Sequence, residues 1–288
     1  RFGYGRSGKV SDSVSDSLSN GSQVGSLMAG KRGLVMGVAN NHSIAWGIAK
    51  TLSGHGAELA FTYQGSSLIK RVEPLAASVG SKILMECEVE SEESLELVFN
   101  RLKSEWGSLD FVVHAIAYSD REELKGRYIE TSRANFLKTL NISCYSLTEV
   151  ARLAEPLMVQ GGSVITLTFS GSGRVMPNYN VMGVAKAALE SSIRYLAFDL
   201  GQKGIRVNGI SAGPMRTLAG SVISGSRNIF NFCQDNAPLD RSLCLEDIGG
   251  SALYLLSDLS ASVTGEIHYV DSGYNILGMP SISKNLPS

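Results

Sequence analysis

The sequence predicts an α/β protein: a single domain with a parallel, doubly wound sheet of about seven strands and helices on both faces. Three observations carry this prediction. Strand-like and helix-like segments alternate from Gly30 to about residue 280. The strand-like segments are short, nearly continuous apolar runs, the pattern of strands buried on both faces. Within that region there is no internal repeat, and no linker-like stretch divides it in two.

Taken in order, Leu34–Val38 is an apolar strand and Ser43–Leu52 a helix. Glu58–Tyr63 reads as the second strand, followed by a helix over Ser66–Ser78 interrupted by Pro74. Lys82–Cys87 is the third strand. Ser91 is placed to cap a helix through Trp106, and Glu92 and Glu93 in its first turn complement the helix dipole. Leu109–Ala115 is the fourth strand, and one long helical stretch covers about Ser132–Met158. After the strand Ser163–Thr168, Pro177 ends an extended segment and Asn178 is a candidate N-cap for a helix whose apolar stripe reaches Leu200. Ile205–Ile210, Leu245–Leu256 and Glu266–Val270 complete the pattern as strand, helix and strand.

Residues 1–29 differ: rich in Ser and Gly, without apolar periodicity, they read as a flexible polar tail, and residues 281–288 as a short C-terminal one. The first stretch lacks the apolar core of a secretory signal, and Asp12 and Asp16 argue against a transit peptide. The remaining composition excludes several function classes. The chain of 288 residues is 43% hydrophobic with a net charge of −1, so no basic face points to nucleic acid and no acidic excess to disorder. No apolar run is long enough to cross a membrane. Cys87, Cys144, Cys233 and Cys244 are scattered, the pattern of reduced thiols, and His42, His55, His114 and His268 have no metal-ligand spacing. A cytoplasmic protein without a metal is expected.

Candidate chemistry gathers at strand ends. The first strand–helix junction runs Gly37-Val38-Ala39-Asn40-Asn41-His42-Ser43-Ile44. Its small residues permit close backbone approach, and the helix N-terminus at Ser43 offers N–H donors to a pyrophosphate, as in Rossmann-type sites. The same residues also suit a loop kept small for packing. Gln64 ends the second strand where an acid often holds the adenosine ribose; it is neutral, with no cation adjacent for a 2′-phosphate and Arg71 the nearest one, which favours NADH over NADPH. Glu88 and Val89 end the third strand, where the acid could meet an adenine amino group or simply face solvent. Tyr179 and Lys186 stand seven residues apart, about two helical turns, so both leave one face of the helix. An ammonium beside a phenol is expected to lower the tyrosine pKa from about 10.

These residues together resemble the enoyl-acyl-carrier-protein reductases of bacterial type II fatty-acid synthesis, divergent members of the short-chain dehydrogenase/reductase superfamily. The resemblance spans residues 30–280. It rests on Gly37-Val38-Ala39 with Ser43-Ile44-Ala45, Ala60-Phe61-Thr62-Tyr63-Gln64, Pro177-Asn178-Tyr179-Asn180-Val181-Met182-Gly183 through Lys186, Gly204-Ile205-Arg206-Val207-Asn208, Ser211-Ala212-Gly213-Pro214, Arg216-Thr217-Leu218-Ala219 and Thr264-Gly265-Glu266. The six residues between Tyr179 and Lys186 are the sharpest discriminator, because ketoacyl reductases of the superfamily have three there.

The resemblance implies hydride transfer from NADH to a trans-2-enoyl thioester carried by acyl-carrier protein. Tyr179 is implied to donate to the thioester carbonyl and Lys186 to hold the nicotinamide ribose. Thr217, with the loop through Pro214 and Met215, is implied to grip the pyrophosphate and nicotinamide; Ile116 and Ala117 line the cofactor floor. Met182 and the Gly- and Ser-rich segment from Leu218 to Phe232, part of a flap at about 215–232, wall the acyl pocket. A homotetramer is implied. Leu189, Ile193, Leu196 and Leu200 make the Tyr-bearing helix apolar on more than one face, which fits burial on two sides. Arg216, Arg227 and Arg241 are candidate docking charges for the acidic carrier protein.

Two departures from the family pattern stand out. Phe169 occupies a position usually Tyr, ten residues before Tyr179; it keeps the ring and loses the hydroxyl, a loss of roughly 1–3 kcal/mol of transition-state stabilisation. Ala117 and Tyr118 stand where glycine and phenylalanine are commoner. The Tyr118 hydroxyl either partly replaces the missing one or points to water. The rival functions are a carbonyl-reducing short-chain enzyme, and an NAD-binding family member whose catalysis is impaired by Phe169.

Overall fold

The computed structural model describes residues 26–217, 220 and 224–279. These form a seven-stranded, wholly parallel sheet of order β3-β2-β1-β4-β5-β6-β7. The strands are β1 (Arg32–Met36), β2 (Glu58–Tyr63), β3 (Ile83–Glu86), β4 (Phe111–His114), β5 (Gly162–Thr168), β6 (Ile205–Ala212) and β7 (Ile267–Val270). Central strands read apolar throughout because both faces are covered; β4, Phe-Val-Val-His, is buried at every position. On one face lie α1 (Ile44–Gly54), α2 (Ser66–Ser78) and a late helix, Leu245–Leu256, in a core that includes Ile48, Leu52, Phe61 and Ile248. On the other lie α3 (Glu92–Trp106) and the Tyr-bearing helix, with Phe99, Leu102, Leu189 and Ile193 in the core. The predicted fold class is the observed one.

The local differences have physical causes. Ser91 caps α3 as expected, its hydroxyl accepting from the Ser94 N–H at 3.2 Å. The helix over Ser66–Ser78 is not interrupted: Pro74 lies inside it on an exposed face, where the carbonyl it leaves unpaired, that of Lys70, can meet water. The long stretch after β4 is helical but uneven. It comprises α4 (Arg133–Leu140), a π-turn at Asn141–Tyr145, α5 (Ser146–Ala154) and a 3₁₀ turn carrying Pro156. The folded region also begins before Gly30, since Met28 is fully buried and its N–H donates to the His55 carbonyl at 2.9 Å. The Tyr-bearing helix, α6, spans Asn180–Gly201. Leu189, Ile193 and Leu200, with Leu196 packed against the same core, form one inward stripe of α6, not two, while Tyr195 and Phe198 on the same helix are exposed. Among the described residues, the helices α7 (Ser226–Asn236) and α8, the late helix already described, follow.

The strand order reverses between β1 and β4, so the loops that leave their carboxyl ends diverge and open a crevice there. Gly37, leaving β1, and Ala115, leaving β4, face each other at this switch point.

Candidate active site

The turn after β1 is built for close approach. Gly37 has φ +96°, and a β-carbon there would stand 2.0 Å from the Ala115 carbonyl oxygen on the neighbouring β4 exit. Ser43 spends its hydroxyl on the loop, not on the helix: Oγ accepts from the Ala39 N–H at 3.0 Å and the Asn40 N–H at 3.1 Å. The first N–H groups of α1, at Ile44 and Ala45, can have no partner within the helix, and no acidic side chain stands in the first turn. That end of the helix dipole is therefore ready for an anion. These features fit a dinucleotide pyrophosphate and carry the cofactor expectation at Gly37, Ala39, Ser43 and Ile44.

At the exits of β2 and β3, two residues read separately from the sequence form one unit. The Gln64 amide donates to the Glu88 carboxylate at 2.7 Å, across the exits of β2 and β3. The bond leaves the Gln64 carbonyl oxygen free to accept from a ribose hydroxyl and puts a negative charge beside it. Val89 packs against the core below.

The floor follows β4. Ile116 packs on the sheet core, and the backbone at Tyr118 is clamped by one side chain of the π-turn. Ser143 Oγ accepts from the Tyr118 N–H at 2.9 Å and donates to its carbonyl at 3.0 Å. The Tyr118 ring is 45% exposed beneath the Lys138 ammonium, 5.0 Å from its centroid. This placement favours the reading in which its hydroxyl faces water. Below the floor, His114 is fully buried, with Nδ1 3.0 Å from Thr166 Oγ1 and Nε2 2.9 Å from Ser146 Oγ. Ser146 gives its own proton to the Ile142 carbonyl at 2.6 Å, so it accepts from His114, whose proton sits on Nε2. Burial and the Lys186 charge hold the imidazole neutral, with its pKa down at about 3.

Tyr179 is buried in a small cluster with Leu124, Val181, Met182 and Ala185. The Phe169 ring meets it edge-on, centroids 5.2 Å apart. Two expectations here are corrected. Asn178 is not the N-cap; Tyr179 itself occupies that place, and Asn178 stands in the left-handed region at φ 59°. Nor is the phenol acidified: burial, then the charge of Glu190, raise its pKa well above the usual value. Desolvation outweighs the lysine, whose ammonium is directed elsewhere. Lys186 is 5% exposed and donates to the Leu167 carbonyl at 2.8 Å. Its pKa is drawn down to about 8 by burial, opposed by Cys144 and Glu190. At neutral pH the site thus holds a protonated phenol and an ammonium, two donors. Glu190 is itself held by Thr168, whose hydroxyl donates to it at 2.6 Å.

Beyond β6, the Thr217 N–H donates to the Met215 carbonyl at 2.9 Å, and its hydroxyl accepts from the Gly220 N–H at 2.9 Å, while Met215 packs against the core near Pro214. Leu218 lies outside the described residues, and α7 supplies the second half of the expected flap. Of the proposed docking cations, Arg241 is taken by Asp247 in a two-point ion pair (2.6 and 3.1 Å), and Arg216 stacks on Phe230 at 4.9 Å. Among the described residues, no group of His, Cys, Asp and Glu could hold a metal, and no helix is long and apolar enough to cross a membrane. The sequence reading missed the Ser143 clamp, the His114 network and the Gln64–Glu88 pair. A lone histidine ending an apolar strand was the one visible signal for the second of these.

A doubly wound parallel sheet, a small-residue turn at its switch point and a buried tyrosine and lysine on one helix define a nucleotide-dependent reductase of the short-chain type. Comparison with known proteins narrows the class. Residues 37–275 match the family described as Enoyl-(Acyl carrier protein) reductase. Enoyl-[acyl-carrier-protein] reductase [NADH] 2 of Rhizobium meliloti is 64% identical over 256 residues, 89% of this chain and 96% of that protein. The crystal structure of FabI from Candidatus Liberibacter asiaticus superposes with a TM-score of 0.88 at 59% identity, covering 89% of this chain and all (100%) of that one. The enoyl reductase of Anaplasma phagocytophilum, solved in complex with NAD, gives a TM-score of 0.87 at 55% identity, over 90% of this chain and 99% of that one. The chain belongs to the enoyl-(acyl carrier protein) reductase family.

Proposed function

We propose that this protein reduces the double bond of a trans-2-enoyl thioester on acyl-carrier protein, with NADH as reductant, in fatty-acid elongation. The observation that carries the reading is the buried Tyr179, protonated and ahead of Lys186 by the family's spacing, in a chain 64% identical to an NADH enoyl reductase. NADH, when bound, supplies a hydride. The chain's own residues do the rest. The α1 N-terminus and Ser43 turn hold the pyrophosphate, with Thr217, Pro214 and Met215 closing on it from the β6 exit. Gln64 accepts from the adenosine ribose, and the adjacent Glu88 carboxylate repels a 2′-phosphate, consistent with NADH over NADPH. Lys186 would hold the nicotinamide ribose, and Ile116 and Ala117 would form the floor of the cofactor site. Tyr179 donates to the thioester carbonyl oxygen, where negative charge develops as the β-carbon is reduced. Its raised pKa keeps that proton in place. Met182 lines the acyl side.

The reading carries a cytoplasmic reaction and a homotetramer. Phe198, 82% exposed, with Tyr195 on α6 and Leu137 and Tyr145 on the adjoining helices, supplies an apolar outer surface suited to copies of the chain. Light scattering on the eluted protein distinguishes four copies from one.

The test of function follows the absorbance of reduced nicotinamide with a trans-2-enoyl thioester. The protein is expected to consume NADH, and Tyr179→Phe to lose about 10²–10³ in kcat, the usual loss for one oxyanion donor. Consumption with a ketone but not with an enoyl thioester replaces this reading with a carbonyl reductase; NADH binding with neither substrate turned over leaves a binding protein.

A further inference from the structure

Tyr179 is flanked by two residues in a backbone conformation that L side chains avoid. Asn178 has φ 59° and Asn180 φ 35°; among the described residues the only other non-glycine with positive φ is Ser272. Asparagine tolerates this region better than most residues, but each instance still costs on the order of 1 kcal/mol and persists only where surroundings impose it. Here the surroundings are two different walls of the site. The Asn178 amide donates to the Ser224 carbonyl at 2.8 Å, on the segment leading into α7. The Asn180 amide sits in a cup of three carbonyls, those of Glu123, Lys125 and Gly126, each at 3.4 Å, in the loop between β4 and α4. Between them, Tyr179 is folded into a tight turn: its N–H donates to Met176 at 3.2 Å and its carbonyl accepts from Met182 at 2.9 Å.

We propose that Asn180 is a positioning residue for Tyr179 and Asn178 a positioning residue for the α7 wall of the acyl pocket, each tying the backbone beside Tyr179 to a different segment. Neither side chain bonds the phenol. Each acts through main chain: Asn180 fixes the first turn of α6, which aims the ring, and Asn178 fixes the α7 segment against the same turn. The two ties affect different steps. Aim at the reacting carbonyl matters in the transition state, so loss of the Asn180 tie lowers kcat and kcat/KM together. Contact of the α7 wall with the acyl chain is the same in ground and transition states, so loss of the Asn178 tie raises the enoyl KM and spares kcat. The inference rests on the catalytic role of Tyr179 proposed above.

Glycine substitutions test it, because they keep the backbone conformation and remove only the amide. Wild type and Tyr179→Phe are run alongside with an enoyl thioester. If the wild type consumes no NADH, the functional reading has failed, independently of the asparagines. With an active wild type, Asn180→Gly is expected to lose about tenfold in kcat, a fraction of the hundredfold that a misplacement of about 1 Å costs. Asn178→Gly is expected to raise the enoyl KM severalfold at unchanged kcat. Asn180→Asp tolerates the same φ but turns an acceptor on three carbonyls, and is expected to fall below Asn180→Gly. Melting temperature and NADH-binding stoichiometry should stay at wild-type values in both glycine variants. The proposal is overturned if both keep kcat and KM within twofold of wild type. It is equally overturned if any loss matches a fall in NADH-binding sites or melting temperature, the signature of a merely structural role.

Discussion

Gly171 offers the sharpest steric test of the site. It sits in the turn after β5, and its missing side chain is what lets the Tyr179 ring lie where it does. A β-carbon at residue 171 would stand 2.5 Å from Cδ1 and 2.7 Å from Cε1 of Tyr179, and 3.3 Å from Cδ1 of Phe169. Carbon atoms prefer about 3.5–4.0 Å. In Gly171→Ala the phenol ring must therefore retreat by roughly 1 Å, since the other atoms belong to the β5 exit. The backbone at residue 171 is not left-handed, so alanine meets no conformational penalty and the effect is confined to the ring. Overpacking of this kind costs about 1–3 kcal/mol of stability, and misplacement of a catalytic group by about 1 Å costs up to about 10²-fold in rate. Gly171→Ala is thus expected to lose between tenfold and a hundredfold in kcat with an enoyl thioester, while NADH binds as before. Thermal unfolding gives the stability cost, and NADH fluorescence titration the binding. A variant with wild-type kcat would refute the assignment of Tyr179 as the group aimed at the carbonyl.

Four other outcomes follow from the same geometry. Phe169→Tyr places a hydroxyl on the ring beside Tyr179 and should raise kcat by fivefold or more, since one added donor is worth roughly 1–3 kcal/mol; a slower variant means that the phenyl ring is required as it stands. Lys186 needs its proton to donate, and its pKa is about 8, so kcat/KM should fall as pH rises through that value, in a profile absent from Lys186→Met. The same depression makes the folded state bind fewer protons than the unfolded one between pH 8 and the ordinary lysine value of 10.5, so this residue's contribution to stability rises across that window. His114 is neutral when folded and has an ordinary pKa of 6.5 when unfolded, so stability should decline as pH falls from 6.5 toward about 3, by a few kcal/mol in all. Denaturant midpoints read this decline, and His114→Gln should flatten it; an unchanged acid slope in the variant would place the titration elsewhere.

The alternation of strands and helices was legible in the sequence because parallel strands buried on both faces are apolar at every position, and β2, α2 and α3 fall where the pattern placed them. Small residues at Gly37 and Ala39, and the six-residue gap between Tyr179 and Lys186, are likewise local signals, since spacing along a chain is information a sequence contains. Other features were decided only by tertiary structure. The Gln64–Glu88 bond joins residues 24 apart, and the His114 network joins residues 32 and 52 apart; no spacing rule connects such pairs until the strand order brings them together. The ionisation of Tyr179 also belongs to this second group. From sequence, the only influence in view was a cation two turns away. In the fold, burial removes water from the phenol and points the lysine at Leu167, and desolvation overrides the charge. Pattern and spacing determined the fold, and the family resemblance pointed to the candidate residues; their partners, burial and protonation were decided by packing, because those depend on what distant segments place around each group.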